Sequence, residues 1–340
     1  MRPHLALDSE TLAANARRWA HHSRVPVRAV VKCDGYGWGY RPLVAALDDV
    51  VAGYCVADAD ELRSVRRYTS HPVVVLGGVA PDRLAEVLEA GGLPTVANAL
   101  ELEIAMRWAR SRGRPLRLRV GLLPAAGWTG STIAAVAEFA PALAASGAEV
   151  ELWTHVTDAA SAAELFGLFA EAERLLRGSG VRVVGTDLAS TYPAAASGSG
   201  GGQNVRIGVG LFGAGSDRVA GLACALRVVA PVVRIERLAA GTRLGYGEAT
   251  LSDDEEVVAA RCGYGDGLPQ AVAGADDILS VGMQYLTARA ARCDKNRTQV
   301  VVLDGKSKLD AFAARAGRLT HEIVTAFGNA ARANNVTTEG

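Results

Sequence analysis

Lysine is nearly missing from this 340-residue chain: four lysines stand against 32 arginines, and Lys32 is the only one before Lys295. Net charge is missing too, with 36 basic and 36 acidic residues. That leaves no electrostatic case for nucleic acid or an anionic membrane as partner. No apolar run approaches the length of a bilayer span, and the N-terminus has no signal-peptide pattern, so the cytoplasm is the expected compartment. The five cysteines (Cys33, Cys55, Cys224, Cys262, Cys293) are scattered, odd in number and without a C-x-x-C pair. Free thiols of this kind fit a reducing compartment. There is no internal repeat and no coiled-coil heptad. The remaining composition, 49% hydrophobic and 21% charged, is that of a globular enzyme large enough for a barrel and a smaller domain.

What the chain does have is a regular alternation. Apolar runs at 27–32, 52–57, 73–77, 93–97, 115–122, 149–155, 181–186 and 204–209 read as strands. Amphipathic helical patterns lie between most of them, among them 81–90, 99–111, 131–146 and 161–176. Arg2 to Asp8 reads as a further short strand, with Ser9 as the cap of a helix that carries Asn15 and Trp19. Eight strands alternating with helices predict an α/β fold, a TIM-type (β/α)8 barrel over 1–215. The Gly/Ser run 197–202 reads as a loop within it. From 216 to 340 strands follow one another directly, at 223–236, 242–249, 256–263, 277–281 and 298–303, with one helix at 308–317 and a frayed tail from Asn334. This predicts an appended, mostly β domain, with residues 1–8 pairing to it.

Lys32 stands at the end of the first barrel strand and before the glycine-spaced turn Gly35-Tyr36-Gly37-Trp38-Gly39. Barrels place active groups at such strand ends. An amine can form a Schiff base with an aldehyde, which a guanidinium cannot; on spacing alone the side chain could equally cap a strand in water. Cys33, the next residue, is expected on the opposite face, in packing. His155 and Asp158 follow strand six; Thr186, Asp187 and Ser190 follow strand seven; Arg206 lies in strand eight before Ile207-Gly208-Val209-Gly210. Ser190, Gly208 and Val209 would suit a phosphate, or the glycines only let the strand bend. His155 taken alone reads as a strand histidine, and Arg206 as an ion-pair partner. Two Gly-Tyr-Gly units, around Tyr246 and Tyr264, offer phenols as acid/base groups or are simple turns.

Taken in order, these pieces resemble the alanine racemase family of pyridoxal 5′-phosphate (PLP) enzymes, fold type III. Val30 to Gly39 is similar to the family's V-V-K-A-x-A-Y-G-H-G, with Trp38 for the histidine. His155 to Asp158, Ala189-Ser190-Thr191, Val205 to Gly213, Leu244 to Gly247 and Gly263 to Gln270 resemble its later motifs. The resemblance implies PLP on Lys32, held by Tyr36, Ser190, Gly208 and Val209 at its phosphate. It places Arg206, backed by His155, at the ring nitrogen. It implies a homodimer with shared sites, in which Lys32 and the partner's Tyr246 exchange protons on opposite faces of an amino acid's Cα, and Tyr264 lines the entrance. The implied reaction is amino-acid racemisation. The alternatives are another PLP-dependent reaction of specialised metabolism and a non-catalytic PLP-binding protein; a carrier would have no need of Tyr246.

The segment 119–130 departs from the family's K-V-D-T-G-M-x-R. Arg119 stands in the lysine's place, and Trp128 falls near the place of the arginine that meets the substrate carboxylate. The family's M-D pair aligns poorly with Ala288 to Asp294, and its C-terminal R-V-x-R is reduced to Ala330-Ala331-Arg332. Losing a charge-assisted contact to a molecule as small as alanine weakens the site for it. Arg119 is therefore expected to supply positive charge beside the cofactor's phenolate, and the preferred substrate to differ from alanine.

Overall fold

A computed structural model describes residues 2–123, 130–156, 162–197, 202–246, 249–274 and 277–336. Trp128 and Asp158 lie outside them. The strands, in chain order, are β1 His4–Leu7, β2 Val27–Val30, β3 Gly53–Val56, β4 Val73–Val75, β5 Gly92–Leu93, β6 Thr95–Val96, β7 Arg117–Leu122, β8 Glu149–Thr154, β9 Arg182–Ala189 and β10 Asn204–Ile207. Then follow β11 Leu226–Leu238, β12 Arg243–Leu244, β13 Ala249–Thr250, β14 Glu255–Ala260, β15 Ile278–Val281, β16 Leu286–Arg289 and β17 Gln299–Leu303.

From β2 to β10 the strands form one parallel sheet in the order β5-β4-β3-β2-β10-β9-β8-β7-β6. Its two ends are pieces of one strand, because β5 and β6 are separated only by Pro94. A proline has no N–H for a ladder, so the strand breaks there. Each half still pairs, Val74 with Leu93 on one side and Thr95 with Arg119 on the other, so the sheet comes round into the expected barrel of eight strands. The apolar runs sit inside it: Val73, Val74, Val75, Val150 and Leu152 are buried, and parallel strands covered on both faces need such continuous runs.

The second part is antiparallel and built on β11, which pairs with β14, β17 and β1. The N-terminal strand thus joins this sheet, His4 opposite Val229. Several features depart from the sequence reading. The first is β16, which completes the β14-β16-β15 meander. The second is a C-terminal helix over Thr320–Val336, after the shorter one over Leu309–Arg315. The tail expected to fray from Asn334 is helical to Val336. This helix buries Ile323, Val324 and Phe327, a stripe at helical spacing. The first helix, Ser9–Ser23, is capped by Asp8 and not by Ser9: the Asp8 carboxylate accepts from the Thr11 N–H at 2.9 Å. None of the described helices is long and apolar enough to cross a membrane.

Candidate active site

Lys32 leaves the barrel at the end of β2, and the chain then winds the wrong way. Cys33, Asp34, Gly35 and Tyr36 all have φ between 51° and 63°, a short left-handed turn. For the three non-glycine residues this costs about 1–2 kcal/mol each. Several bonds hold the turn. Gly35 N–H donates to Val31 O at 2.8 Å and Gly37 N–H to Cys33 O at 2.9 Å. The Glu61 carboxylate accepts from the Cys33 and Ala57 N–H groups at 2.6 and 2.8 Å. Asp34 pairs with Arg332, and Trp38 Nε1 donates to Val324 O at 3.2 Å, both on the C-terminal helix. A Cβ on Gly328 of that helix would fall 2.4 Å from Tyr36 O, so backbone meets backbone there. The turn also corrects the reading of Cys33, which is exposed and not packed, because a left-handed turn breaks the two-residue alternation of a strand.

The turn brings Tyr36 inward. Its ring is 4% exposed and lies edge-on to Phe212 at 5.4 Å. Burial raises its pKa, so the phenol stays protonated and can donate. A Cβ on Gly208 would stand 2.2 Å from the Tyr36 hydroxyl. Gly208 therefore does more than bend a strand; its missing side chain is the room in which that hydroxyl sits. Thr191 Oγ1 accepts from the N–H groups of Gly208 and Gly210 at 3.3 and 3.4 Å, and Ser190 Oγ donates to Val156 O at 3.1 Å. Behind Gly208 and Val209, Asn15 donates to Leu211 O and Ala223 O, and Trp19 to Gly210 O. Tyr36, Ser190, Gly208 and Val209 are thus gathered at the same barrel mouth as Lys32.

Arg206 points into the barrel. Its Nη1 bonds Asp187, through both the carboxylate and the backbone carbonyl, and its Nη2 donates to Thr154 O at 2.7 Å, leaving Nε out of these bonds. Asp187, which lies within β9 and not after it, is the hub of a buried network. It also accepts from Arg119 Nη2 at 2.8 Å and lies 3.7 Å from Arg28, while Arg28 makes a two-pronged pair with Glu151 at 2.6 and 3.0 Å. Burial works to raise the Asp187 pKa, but Arg206, Arg119 and Arg28 outweigh it and hold it below the usual carboxylate range. His155 follows β8 within reach of both Arg206 and Lys32; burial first, then those two charges, push its imidazole down to about 4.

Arg119 is fully buried within this network and shares with Arg206 both the Asp187 carboxylate and the face of the Trp153 ring. Among the described residues its Nε and Nη1 have no hydrogen-bond partner, and neither does Nε1 of Trp153, whose ring lies 4.7 Å from the Arg119 guanidinium carbon. Burial pushes Arg119 down to about 10, and Arg206 and Arg28 add to the effect.

Tyr246 and Tyr264 come from the second part of the chain, after β12 and β14. They are 67% and 40% exposed and line an open cleft of about 1060 Å³ with Pro269, Gln270, Arg318 and Glu322. Their hydroxyls share a hydrogen bond, which raises the Tyr264 pKa. The poorly matching segment near Asp294 is structural: its carboxylate accepts from Thr298 and Gln299 N–H and closes a turn. One residue of the mouth escapes the sequence reading, His321 of the C-terminal helix, whose ring stands 6.2 Å from that of Tyr36. Thr320-His321-Glu322 before the apolar Ile323-Val324 was the available sign of a helix start.

The residues present suit a phosphate-bearing aldehyde. They offer an amine at a strand end, hydroxyls and backbone around a cradle that one Cβ would fill, and a fixed guanidinium. Three comparisons bear on this arrangement. The model of the alanine racemase N-terminal domain matches residues 7–216, and that of the C-terminal domain matches 225–335. Among curated proteins the chain is similar to the alanine racemase of Salinispora tropica, at 26% identity over 95% of each chain. It is similar to that of Sorangium cellulosum at 29%, over 81% of this chain and 77% of the other. Among solved structures it superposes on alanine racemase from Streptomyces lavendulae with a TM-score of 0.83 at 21% identity, over 96% and 95% of the two chains. The Bartonella henselae enzyme, solved with covalently bound pyridoxal phosphate, gives 0.82 at 18%, over 97% and 98%. With both domains matched in order across nearly the whole length, the chain belongs to the alanine racemase family of PLP-dependent, fold-type III barrels.

Proposed function

We propose that this chain is a PLP-dependent amino-acid racemase that moves the Cα proton between two bases, Lys32 on one face and Tyr246 of the partner subunit on the other. The observation that carries the reading is the gathering of Lys32, Tyr36, Ser190, Gly208 and Arg206 at one barrel mouth, with the Tyr36 hydroxyl seated where a Gly208 side chain would be. PLP, when bound there, supplies the electron sink that makes the Cα proton acidic. Tyr36 and Ser190 hydroxyls with the Gly208–Val209 backbone bind its phosphate. Arg206, whose guanidinium keeps its proton, would face the ring nitrogen and would not protonate it. That favours return of the proton over loss of the amine. Lys32 Nζ takes or returns the proton on its own face.

The second base is supplied by a second copy. Within one chain the Tyr246 and Tyr264 hydroxyls face an open cleft, while Lys32 sits at the barrel mouth beside Tyr36 and His155. A homodimer in which the partner's Tyr246 and the partner's Tyr264 complete the mouth accounts for both. The substrate differs from alanine, since the family's carboxylate-binding arginine has no counterpart at its usual place.

Deuterium exchange tests this. PLP-loaded protein in heavy water with L-alanine and a panel of L- and D-amino acids should exchange Cα–H and accumulate the opposite enantiomer of its substrate. A loaded protein that exchanges nothing overturns the reading. Tyr246→Phe should lose exchange from one face only. Mixing Lys32→Ala and Tyr246→Phe chains, neither able to racemise alone, should restore racemisation, since each mixed dimer regains one complete site; no recovery after verified subunit exchange refutes the shared site.

A further inference from the structure

We propose that His321 is a proton-coupled ligand of the cofactor's phosphate: phosphate binding draws one proton from solvent onto its imidazole and ties the C-terminal helix to the barrel mouth. The inference rests on the PLP reading above and adds to it a titratable group that the reading does not use.

Position is the first argument. The His321 ring stands 6.2 Å from that of Tyr36 and 6.4 Å from that of Tyr192, centroid to centroid. Tyr36 carries its hydroxyl over Gly208, and Tyr192 follows Thr191, whose hydroxyl holds the Gly208 and Gly210 N–H groups. The imidazole therefore stands beside the two tyrosines at the phosphate end of the site. Its helix packs on the Lys32 turn and on the turn over Val209–Phe212, the two backbone segments that form the cradle.

Charge is the second. From the turn, Lys32 faces His321, and His155 is close enough to feel it from the barrel. The flanking phenols Tyr36 and Tyr192 are both raised by burial and stay neutral. Among the described residues one carboxylate acts on it, Asp310, and that group is already engaged. It accepts from Tyr192 Oη at 3.0 Å, Thr320 Oγ1 at 2.7 Å and Gly215 N–H at 2.7 Å. The surroundings are thus rich in cations and short of an available anion. Burial and then Lys32 hold the imidazole below its ordinary value, so it is neutral near pH 7.5. A phosphate brings about −1.5 to −2 charges and acceptor oxygens, which reverses the sign of the local field. Histidine is the side chain for which such a reversal crosses working pH.

The sign of the linkage follows. Binding raises the imidazole pKa, so affinity is full at low pH and falls as pH rises through the bound-state value, by up to about tenfold per unit for one proton. The test titrates PLP and pyridoxal, which lacks the phosphate, into the full chain, His321→Gln and His321→Arg between about pH 6.5 and 8.5. Any pH dependence of the amine–aldehyde step is shared by both ligands and cancels in the ratio of their affinities. We expect that ratio to fall with pH in the native chain. In His321→Gln it should be flat and about tenfold lower at pH 6.5, and in His321→Arg flat and high. Calorimetry in two buffers of different ionisation enthalpy should count one more proton taken up on PLP binding by the native chain than by His321→Gln; an equal count overturns the inference. A PLP-to-pyridoxal ratio that is the same in all three proteins overturns the inference while leaving the cofactor reading intact. Failure of the native chain to bind either aldehyde overturns the cofactor reading, and this inference with it.

Discussion

Replacing Arg119 by methionine should not destabilise the protein, although it removes a fully buried, ion-paired side chain. The arithmetic starts from the barrel interior, where Arg28, Arg119 and Arg206 share two carboxylates, Glu151 and Asp187. One positive charge is left over. Arg119 carries the consequence: its pKa falls from 12.5 to about 10, and keeping such a group charged at neutral pH costs about 3 kcal/mol relative to water. Its Nε and Nη1 make no hydrogen bond among the described residues, which is part of the same burial cost. Against these stand the 2.8 Å bond to Asp187 and a 3.7 Å contact with Glu151. Arg119→Met leaves two guanidiniums facing two carboxylates, and the flexible thioether fills much of the arginine stem. We expect an unfolding free energy equal to the native value or higher by up to about 2 kcal/mol. Asp187→Asn is the counter-case: it leaves three guanidiniums around Glu151 alone and should cost about 3–5 kcal/mol. Urea unfolding of the cofactor-free proteins, followed by circular dichroism and tryptophan fluorescence, measures both. If Arg119→Met costs more than Asp187→Asn, the excess-charge argument is wrong. The same variant tests the expectation that Arg119 lends positive charge to the cofactor: an unshifted visible absorbance and unchanged PLP affinity would confine its effect to the barrel interior.

Two further predictions concern the mouth itself. Gly208→Ala places a methyl 2.2 Å from the Tyr36 hydroxyl and should weaken PLP binding at least about tenfold in an absorbance titration, at a cost in stability of about 1–3 kcal/mol; native affinity in the folded variant would mean that Tyr36 does not hold the phosphate. His155, held down to about 4, stays neutral in the folded chain where the unfolded chain protonates near 6.5, so its contribution is present above 6.5 and is lost as pH falls toward 4. That loss amounts to as much as about 3 kcal/mol, and His155→Gln should flatten the corresponding part of a stability–pH profile of the cofactor-free protein; an unchanged profile would show that His155 already titrates normally.

The barrel was legible because its strands are buried on both faces and read as continuous valine-rich runs between amphipathic helices. The lysine was legible because it stands alone at a strand end. Other features were hidden for separable reasons. The C-terminal helix has Ala326, Gly328, Asn329 and Ala330 in its middle, residues that give a weak apolar period and include a helix breaker, so a pattern reading stops at Gly317. Gly328 is there because backbone approaches backbone, a reason invisible in one chain's spacing. Arg28, Arg119, Glu151 and Asp187 are inside because each neutralises another from a different strand; a charged residue in an apolar run otherwise reads as facing water. Cys33 was misplaced because strand alternation was carried one residue past the strand's end.

The left-handed turn ties these hidden parts to the chemistry. Three non-glycine residues in that conformation cost about 1–2 kcal/mol each, and such strain persists only where the surroundings over-determine it. Here the barrel contributes Glu61, which fixes the Cys33 N–H. The C-terminal helix contributes Arg332 to Asp34, the Val324 carbonyl to Trp38, and Gly328 as the surface on which Tyr36 and Gly37 rest. The same turn sets Lys32 at one end and the Tyr36 hydroxyl at the other, so the spacing between the amine and the phosphate cradle is fixed by contacts from both parts of the chain. A barrel without its C-terminal helix would keep the lysine and lose the contacts that hold its turn, which is why the second part of this chain belongs to the proposed site.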